Sequence, residues 1–150
     1  MPEKKTMDRA SKDKREGKAP STQAGEFVKE EMDHVREGKH GARSAKQAIA
    51  IGLSKARRAG VKLPPPKKGT TSERTRTQAA RDDAKGSNPS RPVSRKRSQS
   101  ASGALKREGH AAASHTALSR QAHATAKTRG AVSRSKAAKK AARTRARRSD

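Results

Sequence analysis

The side chains in this sequence that could do chemistry are histidines and cations. Five histidines occur, His34, His40, His110, His115 and His123, scattered along the chain. His110 and His115 fall outside the i, i+4 spacing that places two ligands on one helix face, and no carboxylate cluster joins them. The histidines therefore read as solvated or as phosphate contacts, and neither a metal nor a cofactor is expected. No Gly-rich phosphate loop runs into Lys-Ser or Lys-Thr, and no serine has a base and an orienting acid nearby. The expectation is a protein that is not an enzyme.

The cations carry a clearer signal. The chain of 150 residues holds 39 Lys+Arg against 14 Asp+Glu, a formal net charge of +25. Net charge grows from +3 over residues 1–20 to +11 over residues 101–150. Such an excess selects polyanions. Candidate nucleic-acid-binding residues are Arg43 and Lys46 at the start of a predicted helix, then Lys55, Arg57, Arg58, Lys62, Lys67 and Lys68 from its end into a proline segment. Arg95, Lys96 and Arg97 follow, and then Lys139, Lys140, Arg143, Arg145, Arg147 and Arg148. Phe27 is the single aromatic among Phe, Trp and Tyr, and it falls on a predicted core face. Base stacking on single strands is thereby disfavoured, and contact with the DNA phosphate backbone is the expected binding mode. RNA is the alternative, since charge alone does not separate the two.

Few elements are available to position these groups. Ser44 to Leu63 is the strongest: Ser44 and Gln47 have capping-box spacing, Ile49, Leu53 and Ala56 recur at helical intervals, and Gly60 with Val61 suits a Schellman stop. Upstream, a helix opening at Ser21 or Thr22 carries Phe27, Val28, Met32 and Val35 on one face and stops near Gly38. The two form a helical hairpin, about 22–37 and 45–59, followed by Pro64-Pro65-Pro66. Ile51 points away from Ile49, which leaves a spare contact for the 61–63 strap or for a second copy in a homodimer through the hairpin.

The rest of the sequence is poor in core material. Hydrophobic residues make up 28% and aromatics 1%, too little for one large core at this length. The predicted fold class is mostly disordered with a small all-α module. Residues 1–20 read as a disordered charged arm, 21–66 as the hairpin module, 67–103 as a basic Ser/Arg/Pro-rich linker and 104–150 as an Ala/Lys/Arg-rich tail. Isolated exposed helices are expected near 72–85, 114–129 and 131–147. A faint internal echo aligns His40, Ala42, Ser44, Ala56 and Gly60 with His110, Ala112, Ser114, Ala126 and Gly130. With no cysteine, disulfides and Cys-based zinc sites are excluded. With no long apolar run, a membrane partner is not expected.

The block GEFVKEEMDHVREGKHGARSAKQAIAIGLSKARRAG resembles a family of small, basic bacterial proteins of unknown function. Its members carry a KQAIAIxLSxARxAG run and are sometimes labelled DNA-binding or plasmid-stabilisation proteins. The resemblance covers residues 25–66, and the tail is histone-like in composition. It implies a bacterial, cytoplasmic protein on the nucleoid and transfers no site residues. The functional expectation is a sequence-nonspecific, nucleoid-associated DNA-binding protein that grips phosphates through basic arms. The alternatives are a protein–protein module with nucleic-acid-tethering arms, or an RNA-binding chaperone. A helix-turn-helix reading, which would put Arg43, Lys46 and Gln47 on the bases, ranks lower. Its second helix displays Ala, Ile and Leu where base-reading Asn or Gln are needed.

Overall fold

Serine and glycine set the frame of the central helix. In the computed structural model, which describes residues 2–88 and 94–149 (without the side chains of 148 and 149), Ser44 Oγ accepts a hydrogen bond from Gln47 N at 3.2 Å. Gln47 Oε1 reaches back to Arg43 N at 2.8 Å, one residue before the cap. At the other end Val61 N donates to Ala56 O at 3.1 Å and Gly60 N to Arg57 O at 2.9 Å, the paired bonds of a Schellman stop. The helix between them, Ala45–Arg58, is α3.

Among the described residues there are seven α-helices and a 3-10 turn: α1 Lys4–Arg15, α2 Pro20–Arg36, α3, α4 Glu73–Ser87, α5 Arg95–Lys106, the turn Ala111–Ala113, α6 His115–Thr128 and α7 Gly130–Ser149. The chain divides into two compact units, Met1–Ser114 and His115–Asp150. In the first unit α2 packs on α3, α1 on α2 and α4 on α3, while the 3-10 turn lies against both α2 and α3. Pro20 opens α2 at its first turn, where the missing N–H costs nothing.

The expectation of a mostly disordered chain is overturned by these helices, and the reason lies in how they pack. The buried face of α3 is Ala45, Ala48, Gly52 and Ala56, not the predicted Ile49–Leu53–Ala56 stripe; Ile49 and Leu53 are half-buried. Small residues let the helices approach closely. A Cβ at Gly52 would stand 2.7 Å from Val28 Cα, so only glycine fits there. Among the described residues the buried apolar side chains are mostly alanine, with Phe27, Met32, Val35 and Val61 as the larger ones. Low apolar content does not bar a core built this way, because close backbone approach replaces side-chain bulk.

The supposed disordered arm is α1. It buries Thr6, Ala10 and Asp13 at helical spacing, and Ala10 joins a cluster with Ala24, Phe27, Ala56 and Val61. Within the supposed linker, α4 buries Ala79 and Asp82, and a Cβ on Gly86 would collide with the Arg57 carbonyl. Asp82 accepts from Ser54 Oγ at 2.7 Å, Arg58 Nε at 2.8 Å and Gln78 Nε2 at 3.1 Å. That buried carboxylate latches α4 to α3. Part of the linker, 89–93, lies outside the described residues. Farther on, Gly41 N donates to Leu105 O and Ala42 N to Gly109 O, so residues 105–113 are fastened to the α2–α3 loop. α5 and α6 bury no residue.

Candidate functional site

Two chemically different regions stand out, a cluster of one buried acid with two half-buried histidines and a set of exposed cations. The cluster forms where α2 ends. Glu31 and His34 sit one turn apart on α2, and the loop returns His40 beside them. One ligand atom from each of Glu31, His34 and His40 lies within 4.8 Å of the other two. Glu31 is fully buried; its Oε1 is 3.2 Å from His40 Nε2 and its Oε2 is 2.6 Å from Lys55 Nζ. His40 Nδ1 is 3.1 Å from Gly41 O. His34 Nε2 faces Glu3 Oε1 at 2.9 Å, and the two imidazoles meet edge to face. Glu3 also meets Lys39 at 3.2 Å, and its backbone N–H donates to Glu30 Oε2 at 3.2 Å. The hydrogen bond to His34, then that to Lys39, holds the Glu3 carboxyl below its ordinary range. Sequence reasoning set the histidines aside. The overlooked signal was Glu31-x-x-His34 on one helix, an arrangement that places two ligands on adjacent turns.

The predicted phosphate-binding cations separate into engaged and exposed groups. Lys55 is paired with Glu31 and with Glu30, the latter at 3.6 Å. Arg57 is buried and donates to Leu63 O at 3.0 Å and Pro64 O at 3.4 Å, which holds the proline strap against α3. Burial pushes its guanidinium below its ordinary pKa, opposed by Asp82 and Asp83. Arg58 is half-exposed and bound to Asp82. Arg43 is exposed, 3.7 Å from Glu108. Lys46, Lys62, Lys67 and Lys68 are exposed, as are Arg95, Lys96 and Arg97 in the first turn of α5. The structure thus gathers Lys55, Arg57 and Arg58 into the first unit's own contacts and leaves the others on its surface.

In the second unit, Lys139, Lys140, Arg143, Arg145 and Arg147 are exposed on α7, and the Arg148 side chain lies outside the described ones. Lys136, Lys139, Lys140, Arg143 and Arg147 line one face around Thr144. From Glu108 to Asp150 the sequence has no acid between, so α7 has none of its own. Arg134 Nη1 donates to Ala126 O at 2.9 Å, satisfying a carbonyl in the last turn of α6. Among the described residues no helix is long and apolar enough to cross a membrane.

Residues 14–68, from the end of α1 through the proline strap, match the model of a family of unknown function (DUF6496). That stretch holds Glu31, His34, His40 and Lys55 and stops short of α4 to α7. No curated protein and no solved structure matches the chain.

Proposed function

We propose that the chain binds duplex DNA through its phosphate backbone without reading sequence, as a nucleoid-associated protein would. The observation that carries this is the cationic face of α7. Lys136, Lys139, Lys140, Arg143 and Arg147 share one face of an acid-free helix. At a rise of 1.5 Å per residue they span roughly 16 Å, the axial run of about five phosphates on one strand. Holding five cations together without counter-charges is unfavourable, and phosphates relieve it.

Two further features support the reading. Arg95, Lys96 and Arg97 occupy the first turn of α5, where the helix dipole disfavours cations and an anion would offset them. Phe27 is fully buried, which removes it as a stacking platform and favours duplex backbone over single strands.

Binding of the full chain to duplex DNA, single strands and structured RNA over a salt series tests this. Changing Lys136, Lys139, Lys140, Arg143 and Arg147 together to Gln should reduce the magnitude of the log–log salt slope for duplex DNA by roughly four to five, from ~0.9 per phosphate contact. An unchanged slope, or strong discrimination among duplexes of equal length, would refute backbone binding through α7. Tighter binding to structured RNA than to DNA would move the assignment to RNA.

A further inference from the structure

The pocket at the end of α2 poses an electrostatic problem. Gly41 O can only accept, so His40 Nδ1, 3.1 Å away, must donate its proton to it. A neutral imidazole then has its lone pair on Nε2, and that lone pair faces Glu31 Oε1 at 3.2 Å. In that neutral form two acceptors confront one another at a buried carboxylate, and a proton or a metal ion between them removes the clash. Neither Glu31 oxygen has a hydrogen-bond partner of good geometry, and Lys55 reaches only the Oε2 side. His34 repeats the pattern in a complementary way. With Nε2 directed at Glu3 Oε1, a neutral His34 donates from Nε2 and keeps its lone pair on Nδ1.

We propose that Glu31, His34 and His40 bind a divalent transition-metal ion of the zinc class. A cation between Glu31 Oε1 and His40 Nε2 resolves the confrontation of lone pairs. The spacing of this pair suits it: two ligands at ~2.0–2.1 Å in a tetrahedral shell stand about 3.3 Å apart, against 3.2 Å between these atoms, while the His34 ligand atom lies within 4.8 Å of both. Charge also suits it. Among the described residues Glu3, Glu30, Glu31 and Glu37 meet Lys39 and Lys55 as their lysine or arginine partners, an excess of two acids over these cations. The outer contacts are those that metal-bound histidines use, a carboxylate behind His34 and a backbone carbonyl behind His40. One carboxylate and two imidazoles favour zinc over magnesium or calcium, which prefer all-oxygen shells. Three protein ligands leave the fourth position to water.

Bound there, the ion ties α2 to the loop that carries His40, while Glu3 brings in the chain just before α1. This site is independent of the cationic face of α7, so either assignment can fail alone.

Zinc titration of the chelator-treated full chain tests the proposal. The expected result is one Zn²⁺ per chain with a raised melting temperature, and no such rise with Mg²⁺ or Ca²⁺. His40→Asn and Glu31→Gln should each abolish the one-per-chain binding, and Glu3→Gln should weaken it ~10–100-fold. A variant with His110, His115 and His123 all changed to Ala should bind as the parent does. Because a buried substitution can unfold the pocket, Co²⁺ is added to the unmodified chain as a second readout. Visible absorption bands of a tetrahedral site, discharged by one equivalent of Zn²⁺, are expected. Absence of those bands, zinc binding that survives His40→Asn, or binding lost only in the triple-alanine variant would overturn the assignment.

Discussion

Helices α3 and α6 each span 14 residues. Each follows a serine, Ser44 or Ser114, and each runs up to a glycine of positive φ, Gly60 at 87° and Gly130 at 69°. Yet α3 buries five residues and α6 none. At the α6 positions matching Ala45, Ala48, Gly52 and Ala56 stand His115, Leu118, Ala122 and Ala126. The small-residue face that admits the α2 backbone is thus interrupted by an imidazole and a leucine. Start and stop signals decide where a helix lies, and the size of the residues along one face decides whether another helix can approach it.

The largest contrast is expected at the core. Phe27→Ala should cost ~3–5 kcal/mol, because its ring is fully buried and truncation leaves a cavity. Val132→Ala in α7, at a side chain 71% exposed, should stay within about 0.5 kcal/mol. Urea unfolding of the full chain measures both. Equal effects would mean that burial is not what separates the two units.

Gly52 gives a contrast of sign. Alanine is the better helix former by ~1 kcal/mol, yet a Cβ there would meet backbone atoms of Val28 that cannot swing aside. Overpacking costs ~1–3 kcal/mol, so Gly52→Ala should be net destabilising or at best neutral. On α5, Gly103 has open space around its Cβ position, and Gly103→Ala should stabilise that helix by about 0.5–1 kcal/mol. A clear gain at position 52 in urea melts would remove close approach as the basis of the α2–α3 contact.

These contrasts explain what was legible in the sequence. The caps and stops of α3 were readable because Ser44, Gln47, Gly60 and Val61 act on near neighbours. A helix near 72–85 was legible, but the docking of α1 and α4 was not, since Thr6, Ala10 and Asp13, or Ala79, Asp82 and Gly86, make no large apolar stripe. Ala10 is buried by Ala24, Phe27, Ala56 and Val61, and Asp82 and Gly86 meet Ser54, Arg58 and Arg57, all arriving from elsewhere. The same holds for Lys55 and Arg57: as a list of cations they matched their exposed neighbours, and only the fold gives them Glu31 or Leu63 O as partners. His40 joined the pocket through a loop whose path no local signal fixed.

Leu53, placed by spacing at the centre of the hairpin contact, is half-buried beside the Ala10–Phe27 cluster. Leu53→Ala should therefore fall at or below the ~2 kcal/mol end of the range for buried leucines. A loss of all cooperative unfolding would restore Leu53 to the middle of the interface. A smaller effect concerns α4, where Arg76 hydrogen-bonds Glu73 and lowers its carboxyl pKa. A depressed folded pKa gives stability that is complete above the ordinary carboxylate range and lost as pH falls through the lowered value. Acid should fray the first turn of α4, seen as faster amide exchange near Arg76, while Ala79 and Asp82 keep the helix docked. Release of the whole helix under the same mild acidification would give the start signal more weight than burial.

The smallest expected effect bears most directly on the comparison. If the half-buried Ile49 and Leu53 made α3 a packing helix, restoring them in α6 should convert it. The matching positions are Ser119 and His123, so the double variant Ser119→Ile, His123→Leu rebuilds that pair at the same spacing. The contacts say it should fail to convert. The face that receives α2 is Ala45, Ala48, Gly52 and Ala56, and in α6 that face still carries His115 and Leu118. Amide protection along 115–128 should therefore stay within about 0.5 kcal/mol of the parent, the range for surface changes away from packed features. New protection confined to α6 in the double variant would show that the large apolar pair, and not the small-residue face, decides which of the two helices is buried.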